Sequence, residues 1–191
     1  MNVFICDIIG TYLENYDTKN SKEDLIEFVN HLQRLIEIEE MNELIFSFES
    51  SNALNEVKSC MIELSKYIEG TNIKMGMQFG SDKYLDIDGK EHLVPSIGKI
   101  TQTTLLLSNK KVNKIYFADD NLLNQKMTEN FLSGVNNIND NKSNYSISYN
   151  ELVQFVPGLQ NDDKKTKGLK TLNEILDNYI NKLEKTNKMI K

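Results

Sequence analysis

The chain is poor in sulfur and imidazole: among 191 residues there are two cysteines, Cys6 and Cys60, and two histidines, His31 and His92. With no CxxC pair and no histidine cluster, neither a disulfide framework nor a structural zinc site is expected, and a reducing cytoplasm is the expected compartment. No apolar run approaches the ~20 residues that cross a bilayer. The N-terminal run Val3–Ile9 is interrupted by Asp7 and followed by no cleavage pattern, so it reads as a strand and not a signal peptide. A basic excess is also lacking. The formal net charge of -6 argues against a nucleic-acid partner, whose footprint is positive. What remains is 39% hydrophobic and 26% charged residues, enough to build a core for one domain and too apolar for wholesale disorder.

Hydrophobic periodicity divides the chain into alternating strands and helices. Residues Val3–Ile8 form a nearly continuous apolar run, the pattern of a strand buried on both faces. Ser21, with Asp24 three positions on, caps a helix to about Glu39 that carries Leu25, Phe28, Val29, Leu32, Leu35 and Ile36 on one face. Leu44–Phe48 is a second strand. Ser50 or Ser51 is expected to cap a helix to about Ile68, with Leu54, Val57, Met61, Leu64 and Ile68 inward. Ile73–Phe79 is a third strand, and Tyr84–Ile87 with His92–Val94 forms a hairpin around Asp88-Gly89. A helix from about Ile97 to Ser108, carrying Ile100, Thr104 and Leu107, precedes a strand at Val112–Ala118 and a helix at Asn121–Leu132. After an Asn-rich loop at 136–144, Tyr145–Tyr149 and Val153–Val156 read as short strands.

This alternation predicts an α/β fold, a three-layer Rossmann-like sandwich with a mainly parallel sheet. The expected organisation is one domain over 1–156, a linker over 157–168, and an amphipathic helix over 169–191. That helix, with Leu169, Leu172, Leu176, Ile180 and Leu183 on one side, packs on the domain or on a partner, a second copy included. Lysines from Lys164 to Lys191 crowd this region, but Glu174, Asp177 and Glu184 interrupt the basic face, so membrane attachment is not expected.

In parallel α/β sheets, chemistry sits at the carboxyl ends of the strands. Read in order, those ends offer Asp7 with Gly10-Thr11, then Ser47, then Lys99 at the head of a helix, then Asp119-Asp120. Each residue alone has a bland role: a cap, a turn or a solvated lysine. Together, one in each β-α unit, they form a pattern. It resembles the haloacid dehalogenase (HAD) superfamily, largely phosphohydrolases. The first motif is similar to Val3-Phe4-Ile5-Cys6-Asp7-Ile8-Ile9-Gly10-Thr11, the second to Leu44-Ile45-Phe46-Ser47, the third to Ser96-Ile97-Gly98-Lys99, and the fourth to Ile115-Tyr116-Phe117-Ala118-Asp119-Asp120. Response-regulator receiver domains use similar residues, but there the acidic pair leads and the lysine trails; the order here favours the HAD resemblance.

The resemblance implies an Mg²⁺-dependent phosphohydrolase working through an aspartyl-phosphate. Asp7 is then the nucleophile. Lys99 supplies positive charge, and Ser47 binds a phosphoryl oxygen with Gly10 and Thr11 around it. Asp7, Asp119, Asp120 and the Ile9 backbone carbonyl are then the metal ligands. The departure is Ile9, which stands where the family's phosphatases carry a general-acid Asp; losing such an acid typically costs ~10²–10⁴ in rate. Hydrolysis of an activated phosphate, a proton drawn from elsewhere, or a non-catalytic binding or regulatory role is then expected. The stretches 12–21 and 80–95 are too short for a large cap domain, so an open site suited to a macromolecular phosphorylated substrate, or closed by a protein partner, is expected. Asp86-Ile87-Asp88-Gly89-Lys90 imitates the first motif, but its polar approach and Asp-Gly pair read as a hairpin turn.

Overall fold

A computed structural model describes residues 1–93, 98–138, 147–157 and 166–190 of the chain. Five parallel strands make the central sheet: β1 (Asn2–Cys6), β2 (Leu44–Phe48), β3 (Ile73–Met75), β7 (Lys111–Ala118) and β8 (Ser148–Phe155), in the order β3-β2-β1-β7-β8. Three further strands, β4 (Gln78–Phe79), β5 (Lys83–Leu85) and β6 (Glu91–Leu93), form a separate antiparallel sheet. The helices are α1 (Lys22–Ile38), α2 (Leu54–Ile68), α3 (Lys99–Leu107), α4 (Leu122–Ile138) and α5 (Leu169–Ile190). This is the α/β, Rossmann-like arrangement expected from the alternation.

Strand residues divide cleanly by parity. Phe4, Cys6, Phe46, Phe48, Tyr116, Ala118 and Phe155 face one core together with α1, α2 and α5. Val3, Ile5, Ile115 and Phe117 face a smaller core containing Leu106 and Leu107 of α3 and Leu132 of α4. Phe4 is central to the larger one. Its ring stacks with Phe46, Tyr116 and Phe155 at 5.7–6.0 Å, and Phe28 of α1 closes on it edge-on at 6.1 Å. The final helix joins this core through Leu169, Leu172, Leu176 and Ile180, all fully buried. Arg34 of α1 pairs with Asp177 and Glu184 of α5 at the rim.

Several boundaries differ from the sequence expectations. Ile73–Phe79 is not one strand. At Gly76 the chain crosses so close to β2 that a Cβ there would lie 2.5 Å from Ile45. Beyond it the Gln78 side chain takes over the backbone pairing: its amide donates to the Phe46 and Gly76 carbonyls, and its oxygen accepts from the Phe48 N–H. The residues then leave for the second sheet. α2 starts at Leu54 and neither serine caps it; Asp82 of the hairpin accepts from the Leu54 N–H instead. The inward face of α3 is Gln102, Thr103, Leu106 and Leu107, and Ile100 and Thr104 are only partly buried. α4 continues past Leu132 to Ile138, and β8 is one strand where two were expected.

The hairpin around Asp88-Gly89 forms as read. Gly89 adopts φ +78°, its N–H donates to the Asp86 carbonyl, and the Asp86 carboxylate accepts from the N–H groups of Asp88 and Lys90. Residues 94–97, 139–146 and 158–165 lie outside the described set, and with them Val94, Tyr145, most of the Asn-rich loop and most of the expected linker. Among the described residues no helix is long and apolar enough to cross a membrane.

Because Phe4 joins three strands and α1, Phe4→Ala is expected to destabilise the protein by roughly 3–5 kcal/mol, the usual cost of truncating a buried aromatic. Urea unfolding followed by circular dichroism measures it.

Candidate functional site

Strand order reverses between β1 and β7, and at such a switch point the carboxyl ends of two neighbouring strands open a crevice. Asp7 and Asp119 both stand there. The Asp7 N–H still donates to the Ala118 carbonyl, at 2.8 Å, so β1 delivers its aspartate while paired to β7. The chain then turns tightly. The Ile8 carbonyl accepts from the N–H groups of Thr11, Tyr12 and Leu13, and Gly10 sits at φ +84°, a conformation glycine enters without strain. Tyr12, fully buried against Phe28 and Phe48, pins this turn to the larger core.

The second acidic loop is locked to the first. Thr11, fully buried, accepts from the Asp120 N–H at 3.0 Å, and a Cβ on Gly10 would overlap the Asp120 carboxylate. Asp119 is also fully buried. It accepts from the Asn121 N–H at 2.8 Å and from the Asn124 amide at 3.1 Å. Carboxylate oxygens of Asp7, Asp119 and Asp120 all lie within 4.8 Å of one another. Into this cluster Lys99, the first residue of α3, extends its ammonium: 2.5 Å from Asp7 Oδ1, 2.6 Å from the Glu49 carbonyl and 3.4 Å from Asp119 Oδ2.

Charge is unbalanced here, with three carboxylates of the cluster facing one ammonium. Burial pushes Asp7 up to about 6; Lys99 opposes the shift, while Asp119 and Asp120 add to it. Asp120 is raised by burial and by its neighbour Asp119. Burial works against the Lys99 charge, yet Asp7, Asp119 and Glu49 outweigh it and hold the ammonium above its ordinary range. The donors are all carboxylate oxygens, with neither histidine nor thiolate among them. That is the set a hard divalent cation such as Mg²⁺ takes, and a soft metal would find nothing it prefers. The cluster fits such an ion in ligand type, spacing and charge.

The structure thus brings Asp7, Lys99, Asp119 and Asp120 together. It does not bring Ser47 to them. Ser47 pairs with Ile5, two residues short of Asp7, and its hydroxyl donates to the Met77 carbonyl. Gly10 and Thr11 line the turn, but the Gly10 N–H donates to the Leu13 carbonyl and the Thr11 N–H to that of Ile8. Ile9 packs its side chain against the larger core. Glu49, Ser50, Gln102 and Thr103 are the site residues that the sequence reading missed. The apolar run of β2 reaches Phe48, opposite Cys6, which makes Glu49 the counterpart of Asp7. Counting from the strand end and not from the nearest hydroxyl finds it. Glu49 has no exposed surface; both its carboxylate oxygens accept from the Thr103 hydroxyl, at 3.0 and 3.1 Å. Burial pushes it up to about 8.

Set against known protein families, curated proteins and solved structures, the chain matches none. The geometry of the site therefore carries the functional reading by itself.

Two outcomes follow from this geometry. Gly10→Ala combines an unfavourable φ with a clash on Asp120, and is expected to lower stability by about 1–3 kcal/mol in urea unfolding. For Glu49 the folded pKa, about 8, lies above its ordinary 4.5, so the folded form keeps a proton that the unfolded chain has released. Its contribution is complete below pH 4.5 and is lost as pH rises through that window. With chelator present, Glu49→Gln should gain stability over the wild type between pH 5 and pH 8, by on the order of 1 kcal/mol per pH unit. A pH-independent difference would contradict the burial argument.

Proposed function

We propose that the protein is a divalent-cation-dependent phosphohydrolase of the haloacid dehalogenase kind, with Asp7 as its nucleophile. One observation carries this reading: a buried strand-end carboxylate held 2.5 Å from a lysine ammonium, with two further aspartates within 4.8 Å, at the switch point of a parallel sheet. The order of the four elements, lone Asp, strand, Lys, acidic pair, supports the family resemblance.

Asp7 attacks phosphorus and the ester or anhydride oxygen leaves with its bonding pair, giving an aspartyl-phosphate that water then opens. Lys99 offsets the charge that builds on the phosphoryl oxygens, and it also keeps Asp7 ionised against its burial. Asp119 and Asp120, with Asp7, would hold Mg²⁺, which when bound supplies the positive charge that lets a carboxylate approach a phosphate. Asn121 and Asn124 keep the Asp119 carboxylate aimed at the cluster.

At the position of the general acid stands Ile9, which has no proton to give. Leaving groups that depart as weak bases, those of acyl and aryl phosphates, suit such a site best. The same residue favours a second reading, a non-catalytic binding or regulatory protein. Hydrolysis of an aryl and an acyl phosphate, with and without Mg²⁺, separates the two. Turnover that requires Mg²⁺ and vanishes in Asp7→Asn is the expected result; equal background rates in both proteins select the binding module.

A further inference from the structure

α3 begins without a capping side chain. Gly98 occupies the N-cap position, and Lys99 is the first helical residue. A lysine on a four-carbon stem has many rotamers, and its ammonium comes to one point only if its helix is seated precisely enough to aim it. Three residues of the first turn, at positions i, i+3 and i+4, share the face that provides the seat. Lys99 donates to the Glu49 carbonyl at 2.6 Å. Gln102 donates to the Ser50 carbonyl at 2.9 Å, and the Thr103 hydroxyl binds the Glu49 carboxylate. Glu49 is tied in turn to β1, because its N–H donates to the carbonyl of Cys6 at 3.0 Å, directly before Asp7.

Stability alone does not call for this arrangement. One turn further on, α3 seats itself with Leu106 and Leu107, and an apolar pair at 49 and 103 would avoid burying a carboxyl group. Among the described residues, the polar side-chain contacts from α3 to other elements fall in the turn that bears Lys99, and the Thr104 hydroxyl bonds within the helix. We propose that Glu49 and Thr103 are positioning residues, a clamp from the end of β2 to the first turn of α3 that fixes the Lys99 ammonium over Asp7. The placement of the ammonium stands on geometry; its effect on turnover rests on the phosphohydrolase reading.

Side-chain ¹H–¹⁵N spectra of the full chain test the placement directly, since a buried, hydrogen-bonded ammonium exchanges slowly with water and exposed lysines do not. The wild type is expected to show a Lys99 signal, assigned by its loss in Lys99→Met. Thr103→Val, which keeps the volume and removes the hydroxyl, should lose it or shift it to the exposed-lysine position. Thr103→Ser and Glu49→Gln, which keep a donor and an acceptor, should retain it. Backbone amide spectra confirm that each variant is folded, and Thr103→Ala replaces Thr103→Val if the latter is not. A Lys99 signal that is absent from the wild type, or unchanged in the folded hydroxyl-less variant, overturns the proposal. With an aryl phosphate and Mg²⁺, kcat should fall about 10²-fold in Thr103→Val with KM within about 3-fold, and recover in Thr103→Ser. A wild type that turns over no phosphate would remove the enzymatic reading and leave the spectra to decide the clamp.

Discussion

The Lys99 ammonium, lodged against Asp7 and Asp119 at the end of the sheet, sets the terms for everything around it. Taking an ion pair out of water costs several kcal/mol, and its mutual attraction repays that only where geometry is good and the remaining hydrogen-bonding capacity is filled. Both conditions hold for Asp119, which takes donors from Asn121 and Asn124 besides the lysine. For Asp120, burial and then the neighbouring Asp119 charge raise the proton affinity. A fold gains little stability from such a cluster. Its presence marks the place where the protein departs from its best packing, and such departures collect at functional sites.

The framework behind it is correspondingly stiff. β1 is the middle strand, paired in parallel on both sides, and the aromatic layer around Phe4 holds it against β2, β7 and β8. Asp7 and Asp119 leave adjacent strands while still in register, so their separation is fixed by sheet geometry. Lys99 arrives from outside the sheet on a nine-residue helix. Its position is set by how α3 is seated and not by strand register, and the polar contacts of α3 to the end of β2 collect at its end. The antiparallel hairpin is also tethered: Lys58 of α2 pairs with Glu91, and Asp82 caps α2.

The layout of the fold was readable because its signals are local. The apolar runs at 3–8, 44–48 and 112–118, and the inward stripes of α1 and α5, each announce an element without reference to any other. What was not readable depends on juxtaposition. The break at Gly76 follows from the approach of Ile45, and the seat of α3 follows from what lies at the end of β2. The role of Glu49 is hidden in the sequence for the same reason. A lone acid after Phe48 looks like the first polar residue of a loop, and only the register Cys6↔Phe48 sets it level with Asp7. Ser47 has the residue type the motif asks for but pairs with Ile5, two positions short of Asp7. Parity then places its side chain on the sheet face opposite Phe46 and Phe48, where it meets the Met77 carbonyl.

Charge counting constrains what can enter. With Asp7, Asp119 and Asp120 ionised and Lys99 protonated the cluster is negative, and its field repels a phosphate dianion while drawing cations. A phosphohydrolase with these residues therefore calls for a divalent ion for binding as well as for reaction, because the Lys99 ammonium is already shared between two carboxylates. The same sum limits the alternative. A non-catalytic protein that kept this cluster would select a cation or a basic group, since among the described residues the carboxylates of the crevice outnumber its ammonium. The two readings thus agree on the sign of the first ligand to bind and part at the second, because only the enzyme goes on to take a phosphorylated substrate over the bound cation.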